Sequence, residues 1–499
     1  MKKFNDIRIF YVFTFIIYFI VAKNSYGFDD EFFNILIYER FGMQGYKFTQ
    51  IYDTHPPGSY IVNSLLFELL GSWSNVRAFS AFINVSLIIL FTEYICVKFN
   101  KRTGIIFFIL TAFNPAFLIW TTSLRWYSYV MCILLWVLMI PKNKGLYYWF
   151  KFCFGTFLMA FFGYIAFIIA IPLFYMYFRE DSRKIKIKLA HISLFTLIFF
   201  ALYLPQMINF FENSIGNNSY HSFNFLKILI GIYSSQISNQ GVFPFSIYSF
   251  ISLIGFFLIV ISVINSSKLN LKNYTYLLPY LILNFLMVIT SLASKIRNQL
   301  FLVPFQSLWI ATASINKKNK KIFILGILLV TFVNLVGIYN VYGHKYTTKN
   351  SWNIPMEEII EFVYEQNNNC NGDVAFFTYD PVISWNLYEV TKNTYSPFNY
   401  HKDIKLENKY ECLVIFNTFG GVSIDKKNKL KESITYKKYI GDIVISTDKY
   451  YKFKQLLNPD YPKNTITASV YKNFDVNQSN EDWITDFCIP GEKNLFCNF

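Results

Sequence analysis

The first 342 residues alternate between long apolar runs and short polar loops. A helix of about 20 apolar residues crosses a bilayer, and a shorter one suffices where flanking residues snorkel. The pattern therefore predicts an all-α, polytopic helical bundle in a membrane. On this criterion we expect about eleven membrane spans, near residues 7–22, 78–97, 104–120, 126–140, 146–161, 163–178, 189–208, 244–264, 274–292, 299–315 and 322–341.

Lysine and arginine are distributed unevenly between the loops on the two sides of this predicted bundle. The short loops on one side contain little beyond Lys295 and Arg297. Because cytoplasmic loops are enriched in Lys and Arg, the asymmetry predicts a cytoplasmic amino terminus and external segments at 23–77, near 209–243 and after about 343. The loops predicted to be cytoplasmic contain Lys98, Lys101, Arg102, Lys142, Lys144, Arg179, Arg183, Lys184, Lys186, Lys188, Lys268, Lys272, Lys317, Lys318, Lys320 and Lys321.

Residues 343–499 have a different pattern. Apolar positions recur at helical spacing in 355–363, and the compact apolar runs 373–378 and 412–416 are typical of buried strands. Residues 440–446 are a further candidate strand. We therefore predict a transmembrane domain over 1–342 and a small extracytoplasmic α/β domain over 343–499, which binds the acceptor or has an architectural role.

The composition agrees with a membrane protein. Hydrophobic residues make up 54% of the 499 residues and charged residues only 15%, whereas soluble proteins usually have about a quarter charged residues. The net charge of +15 would suit nucleic acid, but the basic residues lie mostly in short loops between apolar runs. There they orient the protein and meet anionic lipid, so we expect membrane lipids and not nucleic acid as partners.

The polar carboxyl-terminal region contains four of the seven cysteines. An even number of cysteines in an extracytoplasmic domain allows disulfides. The turn signal Pro490-Gly491 between Cys488 and Cys497 favours that pair, and this leaves Cys370 with Cys412. The alternative is four free thiols. The spacing of Cys and His predicts no zinc site.

Three acids follow the first predicted span. Asp29, Asp30 and Glu31 precede a stretch in which apolar residues recur at helical spacing, so they lie at the start of a predicted helix. Acids there stabilise a helix by about 0.5–2 kcal/mol without any catalysis. The alternative is a pair of carboxylates that act on a substrate at the membrane surface.

Further candidate residues lie on the same predicted side. His55 follows Asp53 by two residues and precedes two prolines, which hold the chain extended and start the next helix. Arg125 lies at the outer end of the fourth predicted span beside Tyr127, and Arg297 lies at the outer end of the tenth. An arginine on this side is either an interfacial anchor or a ligand for an anion such as a lipid phosphate.

Together these motifs resemble the GT-C superfamily of membrane glycosyltransferases, most closely its protein O-mannosyltransferase and aminoarabinose transferase-like branch. Asp30-Glu31 matches the Asp-Glu pair of its first external loop, and His55-Pro56-Pro57 matches its His-Pro-Pro or Lys-Pro element. The run 123–127 resembles its Glu-Ala-Arg-Met-Tyr motif, although Leu124 replaces a polar position. The stretch 297–304 resembles a late Arg-Tyr-Leu-x-Pro element only loosely.

The resemblance implies an inverting transfer of a sugar from a polyprenyl-phosphate donor. Asp30 would be the general base and Glu31 would orient it, with Asp29 as an extra acid at the substrate. The remaining residues would bind sugar or phosphate, and no cofactor is implied, although the acidic pair could hold a divalent cation. These binding residues are Asp53, His55, Arg125, Tyr127 and Arg297.

The acceptor is less well defined by the sequence. We expect a bacterial inner-membrane enzyme that decorates surface polysaccharide, specifically a serotype-converting O-antigen glucosyltransferase, with protein O-glycosylation as the second choice. A lipid-linked sugar flippase or transporter is a competing function, but such proteins tend to place ionisable residues within their spans. The sequence is also compatible with an O-antigen polymerase and with a non-catalytic scaffold.

Overall fold

The computed structural model divides the chain into two compact units, which are described separately. The first contains Met1–Ser25 and Met43–Tyr346, and the second contains Tyr26–Gly42 and Thr347–Phe499. The residues that the structure describes are 7–24, 31, 34–35, 37–38, 42–46, 56–141, 145–180, 184–216, 247–266, 274–289, 300–313, 320–342, 356–370, 374–378, 383, 387, 390–391, 394–395, 411–417, 434–446 and 465–476.

The first unit is built from α-helices. They are α1 (Ile7–Asn24), α2 (Gly58–Leu70), α3 (Trp73–Lys98), α4 (Lys101–Ala112), α5 (Pro115–Thr121), α6 (Trp126–Met139), α7 (Leu146–Phe162), α8 (Ile165–Glu180), α9 (Ile185–Gly216), α10 (Ile247–Ser266), α11 (Tyr274–Ile289), α12 (Leu302–Ala313) and α13 (Lys320–Tyr342). Each of the eleven predicted spans lies over one of these helices, except that the third covers both α4 and α5.

The described helices identify a multi-pass membrane protein. Three of them are long and apolar enough to cross a bilayer, namely α3, the Ile185–Leu204 part of α9 and the Lys320–Ile338 part of α13. The bent pair of α4 and α5 would make a fourth. The other described helices are not counted as spans by length and composition, so the number eleven and the orientation stay predictions.

Large apolar side chains are exposed on the outer helices. On α1, Val12 and Phe13 are 60% and 52% exposed, and on α9, Leu197 and Leu202 are 67% and 65% exposed. Contiguous apolar surface of this kind is rare on proteins surrounded by water. A lipid environment accounts for these faces.

A break between α4 and α5 interrupts the third predicted span, and the two helix axes differ by 66°. Asn114 lies between the helices, and its side-chain oxygen accepts a hydrogen bond from the Phe117 N–H at 3.2 Å. Pro115 is the first residue of α5, and the residue before a proline is disfavoured in the helical conformation. All seven residues of α5 are buried, and protein burial makes a broken helix tolerable in a membrane.

Helix α3 occupies a central place in this unit, since it packs against α1, α2, α4, α5 and α6. Helix α6 in turn packs against α7, and α2 contacts both α6 and α7. Helix α2 and the two helices on either side of the α5–α6 connection therefore all pack against α3.

The second unit contains helix α14 (Met356–Asn369) and a mixed sheet. The strand order is β2-β1-β3-β5-β4; β1 is parallel to β2 and β3, whereas β5 is antiparallel to β3 and β4. Predicted strands 373–378, 412–416 and 440–446 fall on β1, β3 and β4. The strands are β1 (Val374–Thr378), β2 (Thr394–Tyr395), β3 (Cys412–Asn417), β4 (Ile434–Ser446) and β5 (Thr465–Val476).

A disulfide joins Cys370 and Cys412, whose Cα atoms are 6.1 Å apart. It links the end of α14 to the start of β3 and lies in the buried core that includes Val374, Phe376 and Val414. The predicted pairing of these two cysteines is therefore confirmed. Cys488 and Cys497 lie outside the described residues.

Candidate active site

The structure describes three of the eight predicted site residues. Arg125 and Tyr127 belong to the first unit, and Glu31 is a buried helical residue of the second unit, 1% exposed. The remaining five lie outside the described residues, and their roles stay predictions. They are Asp29, Asp30, Asp53, His55 and Arg297.

Arg125 is the last residue of a buried turn between α5 and α6. It occupies the N-cap position of α6 with an extended backbone (φ −96°, ψ 163°). Its side chain is only 6% exposed, and its buried Nε has no hydrogen-bond partner among the described residues. A buried guanidinium costs several kcal/mol of desolvation unless an anion compensates it. The site therefore favours a negatively charged ligand.

The carbonyl groups at the end of α5 are satisfied by hydroxyl groups of the same segment. The Thr121 hydroxyl donates to the Phe117 carbonyl at 2.6 Å, and the Ser123 hydroxyl donates to the Trp120 carbonyl at 2.9 Å. The Ser123 bond supplies a donor for a helix-terminal carbonyl that lacks an intrahelical one, and the Thr121 bond adds a second donor to the Phe117 carbonyl. The polar run 121–123 thus ends α5 inside the protein, where water is scarce.

Two polar residues of α3 hold both sides of this turn. The Asn84 amide donates to the Thr121 carbonyl at 3.2 Å and to the Ser128 hydroxyl at 3.1 Å. The Ser80 hydroxyl donates to the same Thr121 carbonyl at 3.2 Å and is also hydrogen-bonded to Ser128. Thr121 precedes the turn and Ser128 lies in the first turn of α6, so α3 fixes the entry and the exit of the segment that contains Arg125.

Helix α2 holds the middle of the turn through Asn63. The side-chain nitrogen of Asn63 donates to the backbone carbonyl of Leu124, and its side-chain oxygen accepts from the Tyr129 hydroxyl. Helix α2 directly follows the His-Pro-Pro element. This hydrogen bond therefore connects α2, the helix after the His-Pro-Pro element, to the residue that precedes Arg125.

The start of α2 is packed closely against α7. A Cβ atom on Gly58 would lie 2.5 Å from the carbonyl oxygen of Phe161, so only glycine fits there. Tyr60 is 1% exposed, and burial raises the pKa of its hydroxyl to about 12. Tyr60 thus stays protonated in the neutral range. The close approach of Gly58 to Phe161 therefore fixes the start of α2 against α7.

Tyr127 lies in a cluster of aromatic rings. Its ring centroid is 3.9 Å from that of Trp126, 5.0 Å from that of Trp120 and 6.4 Å from that of Phe301. The side chain is 1% exposed. Tyr127 therefore packs among aromatic rings close in sequence to Arg125, and its role in substrate binding stays a prediction.

Several of these polar residues were missed by the sequence-based prediction. Asn63, Ser80 and Asn84 are uncharged, whereas the predicted site consists almost entirely of ionisable groups. A buried amide in an apolar helix is itself a signal, because it must find hydrogen-bond partners. Arg77 was also missed; it is 6% exposed, lies on α3 three residues before Ser80 and shares that helix face.

No group of three or more His, Cys, Asp or Glu side chains suited to a metal ion occurs among the described residues. Asp29 and Asp30 lie outside those residues, so a divalent cation at the acidic pair stays a prediction.

The chain matches no protein-family model and none of the curated proteins. Among solved structures, it is similar to ArnT from Cupriavidus metallidurans in the apo state, with 10% identity and a TM-score of 0.49. It is also similar to the same protein bound to undecaprenyl phosphate, with 11% identity and a TM-score of 0.48. Each alignment covers 92% of this chain and 97% of the matched chain. Both TM-scores are below 0.5, so these similarities carry no argument about the function of this chain.

Proposed function

We propose that the protein is an inverting glycosyltransferase that moves a sugar from a polyprenyl-phosphate donor to an acceptor hydroxyl outside the membrane. The observation that supports this function most strongly is the buried guanidinium of Arg125, at the start of α6 and beside the helix that follows the His-Pro-Pro element. A multi-pass protein with an arginine of this kind suits a phosphate that is carried on a lipid.

Arg125 is suited to phosphate for two physical reasons. Its planar guanidinium presents forked donors that match two phosphate oxygens. It is also buried, and in a water-poor site a fixed positive charge stabilises developing negative charge more strongly than it would in water. The charge on the phosphate increases when the sugar leaves, so Arg125 would stabilise the transition state more than the bound donor.

The reaction needs one base and one stabilised leaving group. An acceptor hydroxyl oxygen attacks the anomeric carbon and passes its proton to the carboxylate of Asp30, which Glu31 would orient. The bond between the anomeric carbon and the phosphate oxygen breaks at the same time, and its electron pair stays on that oxygen. Attack from the face opposite the phosphate inverts the anomeric configuration. The polyprenyl phosphate that is left has one more negative charge, which Arg125 would neutralise together with Arg297.

The remaining predicted residues would complete the binding of the donor. Asp53 and His55 would bind sugar or phosphate, Asp29 would lie at the substrate, and Tyr127 would contribute through its ring. We further propose that the acceptor is a bacterial surface polysaccharide, in particular O-antigen, and that the sugar is glucose. On this account the protein lies in the inner membrane, and its carboxyl-terminal domain binds the acceptor or supports the site on the outer side.

Binding of undecaprenyl phosphate to the purified protein in lipid nanodiscs tests the role of Arg125. We expect Arg125→Met to weaken binding at least about tenfold and Arg125→Lys to weaken it less, because lysine keeps the charge but loses the fork. Arg179→Met is the matched control, since Arg179 is an exposed arginine at the end of α8. Equal affinity of the wild type and Arg125→Met would contradict the proposal.

A further inference from the structure

We propose that Asn63 is a positioning residue that sets the place of Arg125 through the carbonyl group of Leu124. The identity of the ligand at Arg125 rests on the function proposed above, whereas the positioning of the turn does not. Asn63 itself does not contact substrate; it acts on the turn that contains the arginine.

Both ends of the Asn63 amide are engaged. The nitrogen donates to the Leu124 carbonyl on the turn, and the oxygen accepts from the Tyr129 hydroxyl on α6. The residue is 1% exposed, so water is not a ready substitute for either partner. Because the Leu124 carbonyl can only accept, it fixes the amide nitrogen as the donor on that side, and the Tyr129 hydroxyl then donates to the amide oxygen.

The Leu124 carbonyl accepts this hydrogen bond in a buried part of the chain. It lies in the turn between α5 and α6, where the backbone has left one helix and has not yet entered the next, and Leu124 is 0% exposed. A buried carbonyl group must find a hydrogen-bond donor. If the Asn63 donor is removed, the peptide group between Leu124 and Arg125 loses the bond that holds it to α2, and its orientation shifts. Arg125 then moves, because its backbone nitrogen belongs to that peptide group.

The same contact joins two parts of the predicted site. Asn63 lies on α2, five residues after Gly58, and the start of α2 is fixed against α7 by the close approach of Gly58 to Phe161. The His-Pro-Pro element enters this helix. One amide therefore places the Arg125 turn relative to the helix that follows His55, and no ionisable residue is needed for the connection.

The substitution Asn63→Asp separates positioning from simple packing because it keeps the size and shape of the side chain. The new carboxyl can donate to the Leu124 carbonyl only while it is protonated, and burial raises the pKa of such a group. As the pH rises, the carboxyl ionises, loses its proton donor and repels the Leu124 oxygen. We therefore expect a turn that is nearly normal at low pH and displaced at high pH.

The position of Arg125 can be followed without any assumption about function. Phenylglyoxal modifies accessible arginines, and mass spectrometry of peptides gives the rate at Arg125 relative to exposed Arg179 in the same molecule. The detergent-solubilised full-length protein is modified between pH 6 and pH 9, and each variant is compared with the wild type at the same pH. We expect Arg125 of Asn63→Asp to react at nearly the wild-type rate at pH 6 and about tenfold faster at pH 9, the factor that loss of a hydrogen bond to a buried group allows.

Two further variants control the experiment. Asn334 on α13 is a buried asparagine, 1% exposed, whose side-chain atoms have no hydrogen-bond partner among the described residues. Asn334→Asp introduces the same buried carboxyl elsewhere. We expect Arg125 in this variant to be modified at the wild-type rate at every pH. Tyr129→Phe removes the second hydrogen bond that holds the Asn63 side chain, and we expect Arg125 to be modified about threefold faster than in the wild type at every pH. This variant also supplies the test if Asn63→Asp fails to fold.

Undecaprenyl phosphate distinguishes this inference from the proposed function. If the added lipid slows modification of Arg125 in the wild type, the phosphate role is supported; if it has no effect while Asn63→Asp still shows its pH-dependent rate, the function fails and the positioning role stands. If Arg125 is modified at the wild-type rate at every pH in both Asn63→Asp and Tyr129→Phe, the positioning role is overturned, with or without an effect of the lipid.

Discussion

The side-chain nitrogen of Asn84 lies 3.2 Å from the backbone carbonyl oxygen of Thr121 and donates a hydrogen bond to it. Thr121 is the last residue of α5, where a helix leaves carbonyl groups without intrahelical donors. The same nitrogen reaches Ser128 on α6. Helix α3 thus supports the turn between two helices, and the buried arginine of the candidate site is the last residue of that turn.

Replacing Asn84 with alanine should destabilise this region. The variant loses the donor shared by Thr121 and Ser128, although Ser80 still donates to Thr121. We expect a loss of about 1–2 kcal/mol in the free energy of unfolding, measured by thermal or denaturant unfolding in detergent. Affinity for undecaprenyl phosphate should also fall, by about threefold to tenfold, since the Arg125 turn becomes less well fixed.

Asn334→Ala is the matched control for that substitution. The side chain of Asn334 is buried, and neither polar atom has a partner among the described residues. Removal of an unsatisfied buried amide is expected to be nearly neutral or stabilising. If Asn334→Ala were as damaging as Asn84→Ala, general loss of packing and not the hydrogen bonds would explain both results.

The contact of α2 with α7 predicts a strong effect at Gly58. Gly58→Ala places a Cβ atom 2.5 Å from the Phe161 carbonyl oxygen, which is backbone and cannot move aside as a flexible side chain would. We expect destabilisation of about 1–3 kcal/mol from overpacking, measured as a lower unfolding temperature in detergent. Ser86→Ala, on the exposed face of α3, should change the unfolding temperature little; unchanged stability of Gly58→Ala would show that α2 does not pack as described.

The apolar pattern predicted the helices well because burial in lipid requires long apolar runs, and every predicted span lies over a helix. It did not predict the break at Asn114, since the apolar run continues through the break and only the Asn114-Pro115 pair signals it. The residues around Arg125 were harder to predict. The partners of Asn63 and Asn84 on other elements lie 37 to 66 residues away in sequence, so only the packing of the helices shows which groups they meet.

The pairing of Cys370 with Cys412 predicts how thiols react in intact cells. The cytoplasm of most bacteria keeps cysteines reduced, whereas extracytoplasmic domains retain disulfides. We expect both residues to resist maleimide labelling until a reductant is added, as counted by mass spectrometry of the denatured protein. Cys96, Cys132 and Cys153 are free in the structure and serve as internal controls. Ready labelling of Cys370 before reduction would contradict the disulfide and the predicted external location of the second unit.

Loss of the same disulfide should destabilise the second unit. The bond closes a loop with a sequence separation of 42 residues, and removal of such a cross-link typically costs about 2–5 kcal/mol. We expect Cys370→Ser to make the carboxyl-terminal region more sensitive to limited proteolysis. Cys153→Ser, which removes a free cysteine of the first unit, should leave the digestion pattern of that region unchanged; identical patterns for both variants would argue against a structural role of the disulfide.

The assignment of Asp30 as the base predicts a separation between folding and activity. Asp30→Asn removes the proton acceptor and keeps the shape of the side chain, so we expect transfer to be abolished while the protein still inserts and accumulates in membranes. Asp29→Asn, measured in parallel for sugar transfer and membrane content, shows which acid matters. Full activity of Asp30→Asn would remove the base assignment.

The central claim, lipid-linked sugar transfer that depends on Arg125, is tested most directly by following the sugar. Membranes containing the wild type or Arg125→Met are supplied with polyprenyl-phosphate glucose labelled in the sugar, with further hexoses in parallel, and with surface polysaccharide as acceptor. The label bound to polysaccharide is counted after the lipids have been extracted. We expect labelled polysaccharide with the wild type and background label with Arg125→Met. Equal labelling by the two proteins, or a wild type that carries the label across the bilayer while it stays on the lipid, would contradict the claim.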